Sequence, residues 1–330
     1  MSLPDWARAY GEPLFAARIR SQPADFDVTE ELGFELSGDG EHDYLYIEKT
    51  AANTDWVLRQ LAAHAGVPAK DVGCAGLKDR HAVTRQWFSV PRWHAPDWAQ
   101  LNVEGARLLD QQRHNRKLRR GAHKGNRFRI VLRGKLPDTD ALSARLGTID
   151  ARGVPNYFGE QRFGRGGSNV ALADAWSEGK RLPRQKRSLA ISTARSFLFN
   201  SILDARVRDQ TWDKLLAGDV ANLDGTGSVF DVTALDEELE RRCAELDIHP
   251  AGLLSGETTA AESVPGGHEN WLAALHKARV KAAHRSLRLR VMGFEWSTGK
   301  ESLQLEFTLR RGSFATAVLR EIARHEDARR

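Results

Sequence analysis

The first group in this chain with an evident chemical use is a carboxylate on a turn of small residues. Asp79 lies within the segment GCAGLKDRHAVTRQWFSV, residues 73–90, which begins with small residues and ends in an apolar run typical of a strand. A carboxylate in this place is either a working group held in a cleft or a solvated residue of an ordinary turn. Composition alone favours the ordinary turn, so the choice depends on what the rest of the chain supplies.

Cys74 lies close to Asp79 and His81 and is an alternative candidate nucleophile. The chain contains two cysteines, Cys74 and Cys243, and neither belongs to a CxxC pair. Free cysteine is usually a buried packing group, so we expect Cys74 to be buried among its small neighbours. The unpaired cysteines and an N-terminus without a secretion signal favour the cytoplasm. No apolar run approaches the ~20 residues that a membrane-spanning helix needs.

Positive charge is concentrated in one segment. The protein of 330 residues has a formal net charge of +5, and RHNRKLRRGAHKGNRFR, residues 113–129, contains eight Arg or Lys and no acid. We call these residues the basic segment. Clustered cations of this kind are typical of a surface that binds a polyanion. A solvated charged face or a flexible loop has the same composition, and the charge alone does not distinguish RNA from DNA or from an acidic membrane.

Several common enzyme motifs are missing from the sequence. The eleven histidines show no HxxxH or HExxH spacing, so no zinc or iron site is predicted. The Gly-rich stretch GRGGSN, residues 164–169, offers backbone N–H groups to an anion, but no Gly-Lys-Ser/Thr follows it, and a mononucleotide P-loop is not expected. The dinucleotide fingerprint and the GxSxG serine elbow are also absent. We therefore predict no metal and no cofactor, and a carboxylate amid basic and aromatic residues remains.

Hydrophobic periodicity predicts the order strand, strand, helix, strand, strand, helix over the first 150 residues, with short turns. The clearest strand is GNRFRIVLRG, residues 125–134, in which apolar residues alternate with arginines. This order predicts an α+β fold with a mainly antiparallel sheet. Helices are predicted by the same criterion over 54–66, 138–150, 188–209, 235–247 and 269–285.

The last part of the chain returns to the pattern of the first part. Leu303, Leu305, Phe307 and Leu309 alternate with polar residues and predict a strand over 302–309, which a turn and a helix follow. A strand, turn and helix after a helical middle are typical of a domain that another domain interrupts. We therefore expect this strand to rejoin the sheet of the N-terminal half, although two domains in simple series would also fit the pattern.

Several segments together resemble a known enzyme family. AGLKDRHAVTRQW, residues 75–87, resembles the signature of the TruD family of tRNA pseudouridine synthases, in which the Asp after Gly-x-Lys is catalytic. The segment PNYFGEQRFG, residues 155–164, is equally unusual and makes the resemblance specific. Arg310 departs from the family, whose members tend to have Pro two residues before the Gly of this turn. Further matching segments lie in order at 20–30, 40–54, 123–133, 188–200 and 310–321.

The resemblance implies both an architecture and a reaction. A pseudouridine-synthase catalytic domain, residues 1–153 plus 302–330, would be interrupted by a family-specific TRUD domain over 154–301. The implied reaction converts uridine to pseudouridine: the N1–C1′ bond breaks, the uracil rotates while it is held, and C5 bonds to C1′. This isomerisation requires no redox step and no phosphate energy, which agrees with the motifs that the chain lacks.

The resemblance assigns the catalytic role to Asp79. The carboxylate would either attack C1′ as a nucleophile or remove the C2′ proton so that a glycal forms, and the sequence does not choose between these routes. By family position, Arg20 is the expected ion-pair partner of Asp79. Lys78 is expected to face the RNA backbone, because adjacent side chains of an extended segment diverge.

A base inside folded RNA has to be extruded before a protein carboxylate can reach its sugar. The motif positions imply that the extruded base stacks on Phe26, Phe128 or Phe314. Asn126 is expected to read a uracil edge, because its amide both donates and accepts hydrogen bonds. Periodicity alone favours a core position for Phe128.

The expected partner is tRNA, with uridine 13 of the D arm as the target that the family implies. Arg162 and Arg165 of the inserted domain would grip a second RNA segment. No membrane or protein partner is expected, and we predict a monomer. A non-catalytic RNA-binding protein would explain the cations but not the Lys-Asp segment, and a nuclease would need a metal site. The expected phosphate contacts of the basic segment are Arg113, Arg116, Lys117, Arg119, Arg120 and Lys124.

Overall fold

The computed structural model describes residues 3–260, 264–266 and 268–328. None of the helices in these ranges has the length and apolar character to cross a membrane. The helices are α1 Thr54–His64, α2 Thr139–Arg152, α3 Ser168–Ser177, α4 Arg184–Arg208, α5 Glu237–Ala244, α6 Glu269–Lys277 and α7 Ala315–Leu319. The strands are β1 Phe15–Ile19, β2 Phe26–Leu32, β3 His42–Lys49, β4 Gly73–Cys74, β5 Val83–Pro91, β6 Ala106–His114, β7 His123–Arg133, β8 Val154–Pro155, β9 Val220–Leu223, β10 Val229–Asp231, β11 Ile248–Leu254, β12 Ala283–Ser286, β13 Arg288–Leu289, β14 Met292–Thr298, β15 Ser302–Arg310 and β16 Ala323–Asp327.

The predicted helices agree with the structure except for the helix predicted over 269–285, which is shorter than expected. Those predicted at 54–66, 138–150, 188–209 and 235–247 are present as α1, α2, α4 and α5, with ends that differ by a few residues. The helix predicted over 269–285 is wrong in its second half, because α6 ends at Lys277. Arg279 adopts a left-handed φ of 51°, which a right-handed helix cannot contain, and the chain then enters β12.

The largest sheet has the order β14-β15-β7-β2-β5-β3-β6, with β1 beside β7 and β16, and β4 beside β5. Its strand pairs are antiparallel except for two, β2 with β5 and β1 with β16, which are parallel. The predicted α+β class with a mainly antiparallel sheet is confirmed. Helix α1 covers one face of this sheet, where Val57 and Leu61 pack with Leu45, Phe88 and Val90.

Strand β15 pairs with β7 along its whole length, from Ser302 opposite Arg133 to Arg310 opposite Gly125. Its alternate residues are buried, as the sequence pattern predicts, and Phe307 lies directly opposite Phe128. The prediction that the strand at 302–309 rejoins the N-terminal sheet is therefore confirmed. The predicted helix after it is the short α7, and the chain then forms β16, which the sequence pattern did not predict.

The chain divides into two compact units. The sheet unit comprises Leu14–Thr139, Met292–Gly312 and Ala323–Arg330 and contains the largest sheet. The helix unit comprises Met1–Pro13, Asp140–Val291 and Ser313–Ile322, with α3, α4 and α6 and a second sheet of order β10-β9-β11-β12. These units place α2, β14 and α7 differently from the predicted domains. The domain limits 1–153 plus 302–330 and 154–301 remain a prediction about the family architecture.

The basic segment is attached to the sheet unit by Leu118. This side chain is buried beside Tyr44, and its N–H donates to Oγ of Ser89 at 2.8 Å. The Tyr44 hydroxyl donates to the carbonyl oxygen of Arg116 at 3.0 Å. Gly73 permits this approach, because a Cβ atom there would overlap the Leu118 carbonyl oxygen and lie 2.6 Å from Oγ of Ser89. The middle of the basic segment, residues 116–118, is thus fixed beside β4, the strand that leads to Asp79.

Gly73→Ala is expected to lower the free energy of unfolding by about 2 kcal/mol or more, because the new Cβ overlaps backbone that cannot move without loss of the Leu118 packing. Gly147→Ala is the matched control. Gly147 lies in α2 with open space around its Cβ position, so the same substitution should stabilise the protein by about 0.5–1 kcal/mol. Urea denaturation measures both, and equal effects would contradict the close approach of the basic segment to β4.

Candidate active site

Asp79 lies in the loop between β4 and β5, and its two carboxylate oxygens have different partners. Oδ1 accepts the backbone N–H of His81 at 2.9 Å. Oδ2 lies 3.1 Å from Nη2 of Arg20, which is the ion pair expected from the sequence. The Asp79 side chain is 29% exposed, whereas that of Arg20 is 6% exposed. The carboxylate is therefore oriented, paired with a cation and open to solvent on one side, as a group that meets a substrate must be.

The Arg20 guanidinium is itself held by two further contacts. Nη1 donates to Oδ2 of Asp327, at the end of β16, at 2.8 Å, and Cζ lies 4.0 Å from the centroid of the Phe26 ring. The Arg20 backbone has a φ of 56°, a left-handed conformation that costs a residue other than glycine about 1 kcal/mol. Strain of this kind persists only where the surroundings fix it, and here it directs the cation toward Asp79.

A buried lysine that the sequence analysis did not single out holds the backbone of Asp79. Lys49, the last residue of β3, is 0% exposed, and its Nζ donates to the carbonyl oxygen of Asp79 at 2.9 Å. Burial lowers the pKa of Lys49 to about 8, although the nearby Asp79 carboxylate raises it. Burying an ammonium group opposes folding, so Lys49 is better explained by the loop that it fixes than by core stability.

Lys78 points into the protein. Its Nζ lies 2.5 Å from Oε2 of Glu30, and the Lys78 side chain is 6% exposed. Burial raises the pKa of Glu30, and the Lys78 ammonium group partly offsets that rise. The expectation that Lys78 faces the RNA backbone does not agree with this geometry. The adjacent side chains do diverge, but it is Asp79 that faces outward.

The loop around Asp79 is also fixed through its backbone. Oγ1 of Thr54, the first residue of α1, accepts the N–H of Lys78 at 3.0 Å. Nε2 of Gln86, on β5, donates to the carbonyl oxygen of Gly76 at 3.0 Å. Helix α1 and strand β5 therefore hold the residues on the N-terminal side of the carboxylate.

Two of the predicted stacking residues, Phe26 and Phe128, are buried in the sheet unit, at 5% and 7% exposed. Their ring centroids lie 6.3 Å apart at 79°, and Phe128 stacks on Phe307 at 5.5 Å. The core position that periodicity favours for Phe128 is confirmed. Phe26 carries the Arg20 guanidinium on its face, so a base would have to take the place of that cation. Base stacking on these rings remains a prediction.

Asn126 lies on β7 directly opposite Glu30 of β2. Its Oδ1 atom is buried and accepts no hydrogen bond from the described residues, an arrangement that usually opposes folding. Such an acceptor is available to an N–H donor of a ligand. Nearby, burial lowers the pKa of His123 to about 4, and the positive charges of Lys78 and Arg311 add to this effect. The imidazole is therefore neutral at physiological pH.

The predicted phosphate-binding residues of the basic segment fall into two groups. Arg113, Lys117 and Arg120 contact backbone carbonyl groups or a carboxylate of the protein itself. The other three are exposed and form no side-chain hydrogen bond or ion pair within the described part of the chain. They are Arg116, Arg119 and Lys124.

The remaining predicted site residues lie in the helix unit. Phe314 precedes α7, is half-buried, and has its ring centroid 5.9 Å from that of Phe158. Nη1 of Arg162 donates to Oγ of Ser192 at 3.0 Å, and burial lowers the pKa of this arginine. Arg165 is exposed. Of the two arginines, Arg165 is thus the one whose charge faces solvent.

Other candidate groups are accounted for by packing. Cys74 is buried, and burial raises the pKa of its thiol, so the prediction that it is a packing residue is confirmed. Within the described residues, no group of three or more His, Cys, Asp or Glu is arranged to hold a metal ion.

The residues that sequence reasoning missed carry a common signal. Lys49 occupies the buried phase of β3, on the same face as Leu45 and Ile47. Glu30 occupies the buried phase of β2, on the same face as Val28. A charged residue at the apolar phase of an alternating strand requires a partner inside the protein, and this criterion would have found both.

Comparisons with known proteins show which family the chain resembles. A family model described as tRNA pseudouridine synthase D (TruD) matches residues 8–172 and 170–322. A tRNA pseudouridine synthase D from Methylococcus capsulatus is 46% identical over 96% of this chain and 94% of its own length. A tRNA pseudouridine synthase D from Hydrogenovibrio crunogenus is 42% identical over 98% of this chain and 97% of its own length.

A solved structure shows the same fold. The protein from Methanosarcina mazei, assigned as a tRNA pseudouridine synthase D, has a TM-score of 0.70 with 20% identity, and the match covers 96% of this chain and 95% of that one. At this identity the likeness establishes the fold, whereas the family model and the closer relatives establish the family. The chain belongs to the TruD family of tRNA pseudouridine synthases, which are isomerases.

Proposed function

We propose that this chain converts uridine 13 in the D arm of tRNA to pseudouridine and that Asp79 is its single catalytic carboxylate. The observation that carries the proposal is the state of Asp79: its carboxylate is paired with Arg20 and remains 29% exposed. Its loop is held from inside by the buried ammonium groups of Lys49 and Lys78. Family membership supports tRNA as the substrate class.

The reaction needs one ionised carboxylate and no other reactant. The N1–C1′ bond breaks, C5 forms a bond to C1′, the C5 proton leaves, and N1 gains a proton, so the atoms balance. Asp79 either attacks C1′ or removes the C2′ proton, and both routes start from the carboxylate form. Arg20 stabilises that form and orients it. Arg20, Lys49 and Lys78 are therefore positioning residues in this proposal.

The uracil has to be held while it rotates. Oδ1 of Asn126 would accept the N3–H group of the uracil, which would satisfy a buried acceptor that has no protein donor among the described residues. Extrusion of the nucleotide costs a few kcal/mol, and stacking on a ring such as Phe314 recovers roughly 1–3 kcal/mol. Phe26 and Phe128 remain the other proposed stacking rings, although here Phe26 contacts the Arg20 guanidinium and Phe128 packs against Phe26.

The phosphate backbone of the tRNA would bind the exposed cations of the basic segment, Arg116, Arg119 and Lys124, with Arg165 contributing from the helix unit. The contacts of Arg113, Lys117 and Arg120 within the protein fix the shape of the segment. We propose further that the enzyme acts in the cytoplasm as a monomer and that it needs no protein partner.

Asp79→Asn is expected to lower the release of tritium from tRNA labelled at uridine C5 by about 10³-fold or more, because the amide can neither attack C1′ nor remove a proton. Affinity for tRNA should stay within a few-fold. The assay contains chelator and no cofactor, and Asp71→Asn is the matched control for the same chemical change outside the site. Turnover retained by Asp79→Asn would remove the catalytic role from Asp79. A wild type that binds tRNA but releases no tritium would indicate a binding protein instead. Cleavage of the tRNA would indicate a nuclease.

Arg116→Ala combined with Arg119→Ala is expected to weaken tRNA binding and to reduce the slope of log affinity against log salt by about 1–2, because each lost phosphate contact removes about one released counterion. The control is Arg59→Ala with Arg107→Ala, which removes the same charge from arginines that contact the protein itself. Filter binding at several salt concentrations measures both. An unchanged salt slope in the first variant would exclude these residues from the RNA contact.

Lys49→Met is expected to stabilise the fold while it impairs turnover. The shift of the Lys49 pKa from 10.5 to about 8 corresponds to a cost of about 3 kcal/mol for burying the charge, which the variant removes. The variant also loses the hydrogen bond to Asp79, which offsets about 1–2 kcal/mol of that gain. The free energy of unfolding at pH 7 should therefore rise by about 1–2 kcal/mol. The rate of tritium release at saturating tRNA should fall by about tenfold or more, because the Asp79 backbone loses its anchor.

The same variant tests the titration of Lys49. The cost of burying the charge is fully present below pH 8 and disappears as the pH rises from about 8 to 10.5, because the folded protein releases the proton first. Between pH 7 and pH 9.5, the wild type should gain about 2 kcal/mol of unfolding free energy relative to Lys49→Met. Lys70→Met, at an exposed lysine, keeps Lys49 and should gain stability over this pH range as the wild type does. A variant that is less stable than the wild type at pH 7 would show that Lys49 serves the core.

A further inference from the structure

A groove of about 590 Å³ lies in the helix unit, between the C-terminal ends of α3 and α6 and the connection that leads into α4. Its apolar floor includes Trp176, Leu182 and Ala274, which belong to the hydrophobic core around α3, α4 and α6. None of its lining residues is an Asp or a Glu. Its cations are Lys180, Arg181, Arg187 and Lys277.

The groove coincides with a second concentration of positive charge in the sequence. KRLPRQKR, residues 180–187, contains five Arg or Lys and no acid. The four cations of the groove are exposed, and none of them forms an ion pair or a side-chain hydrogen bond with any described residue. Three other arginines of the helix unit differ in this respect, since each lies against a carboxylate: Arg208, Arg241 and Arg242.

Helix electrostatics explain only part of this arrangement. Lys277 lies in the last turn of α6, where a cation is favourable. Arg184, Lys186 and Arg187 lie in the first turn of α4, where cations oppose the helix dipole and where no acid compensates them. The chain therefore places unpaired positive charge around this groove against the local preference of the helix, and a bound polyanion would remove that conflict.

We propose that this groove binds the phosphate backbone of a second stretch of the tRNA substrate. The inference rests on the proposed function and adds to it a set of cations other than those of the basic segment, Arg162 and Arg165. RNA fits better than a flat acidic membrane, because the cations surround a concave space of a size that holds a nucleotide. Phosphate contacts of this kind contribute affinity and salt dependence and leave the chemistry at Asp79 unchanged.

The test combines Arg181→Ala, Arg187→Ala and Lys277→Ala in one variant of the full chain. Affinity for intact tRNA at about 0.1 M salt should fall by about tenfold or more, and the slope of log affinity against log salt should decrease by about 2–3. In the tritium-release assay, KM should rise while kcat stays within about twofold, because saturating tRNA restores the same complex. A second variant, Arg181→Glu with Arg187→Glu, should weaken binding further.

The matched control removes three charges from the same unit as Arg208→Ala, Arg241→Ala and Arg242→Ala, whose cations already contact carboxylates. Its tRNA affinity should stay within about twofold of the wild type, because the charge of each of these arginines is already offset by a carboxylate. Thermal unfolding checks that all the variants fold. Equal affinity and equal salt slope of the groove variant and this control would overturn the proposal.

The outcomes separate this proposal from the proposed function. Groove-dependent binding of tRNA by a wild type that releases no tritium would support the groove and contradict the isomerase assignment. Full turnover by the wild type, with a groove variant that binds tRNA normally but loses affinity for polyglutamate or for anionic vesicles, would overturn the groove as an RNA site and leave the isomerase assignment in place.

Discussion

The ion pair between Arg20 and Asp79 depends on the meeting of distant parts of the chain. Arg20 follows β1, which pairs in parallel with β16, and Asp327 at the end of β16 holds the second side of the guanidinium group. Asp79 comes from a different part of the same sheet unit, through the loop between β4 and β5. The pairing of β1 with β16 thus places the last described strand within the site. This explains how a single carboxylate can be fixed although it lies on a loop.

The buried charges of Lys49 and Glu30 destabilise the fold but hold the loop that carries Asp79. Lys49 and Glu30 occupy strand positions where apolar side chains would stabilise the sheet. Burial lowers the pKa of Lys49 and raises that of Glu30, so it favours the neutral form of each. Their hydrogen bonds hold Asp79 and Lys78, and low local polarity strengthens such bonds. These buried charges lower the stability of the fold, and their hydrogen bonds hold the loop on which the Asp79 carboxylate lies 3.1 Å from Arg20 and open to solvent.

Sequence patterns predicted the strands whose apolar alternation matches their buried position in the sheet. The alternation in 125–134 and 302–309 predicted β7 and β15, because Phe128, Ile130 and Leu132 of β7 and every second residue of β15 are buried. Strand β16 was missed, since ARHED has no apolar alternation and is specified by its pairing with β1. At the site, family position led to Asp79 and Arg20, whereas the direction of Lys78 was wrong. That direction depends on Glu30, which neither the sequence neighbourhood nor periodicity places near Lys78.

Phosphate contacts carry no sequence information, so the basic surfaces alone cannot select one uridine. Selection has to come from the base that fits beside Asp79 after extrusion, and the least costly extrusion occurs where the RNA is already unpaired. Asn126 is the acceptor proposed for such a base, and it lies on β7 opposite Glu30, whose carboxylate pairs with Lys78 beside Asp79. The proposed uracil acceptor and the carboxylate that pairs with Lys78 therefore lie on one pair of strands.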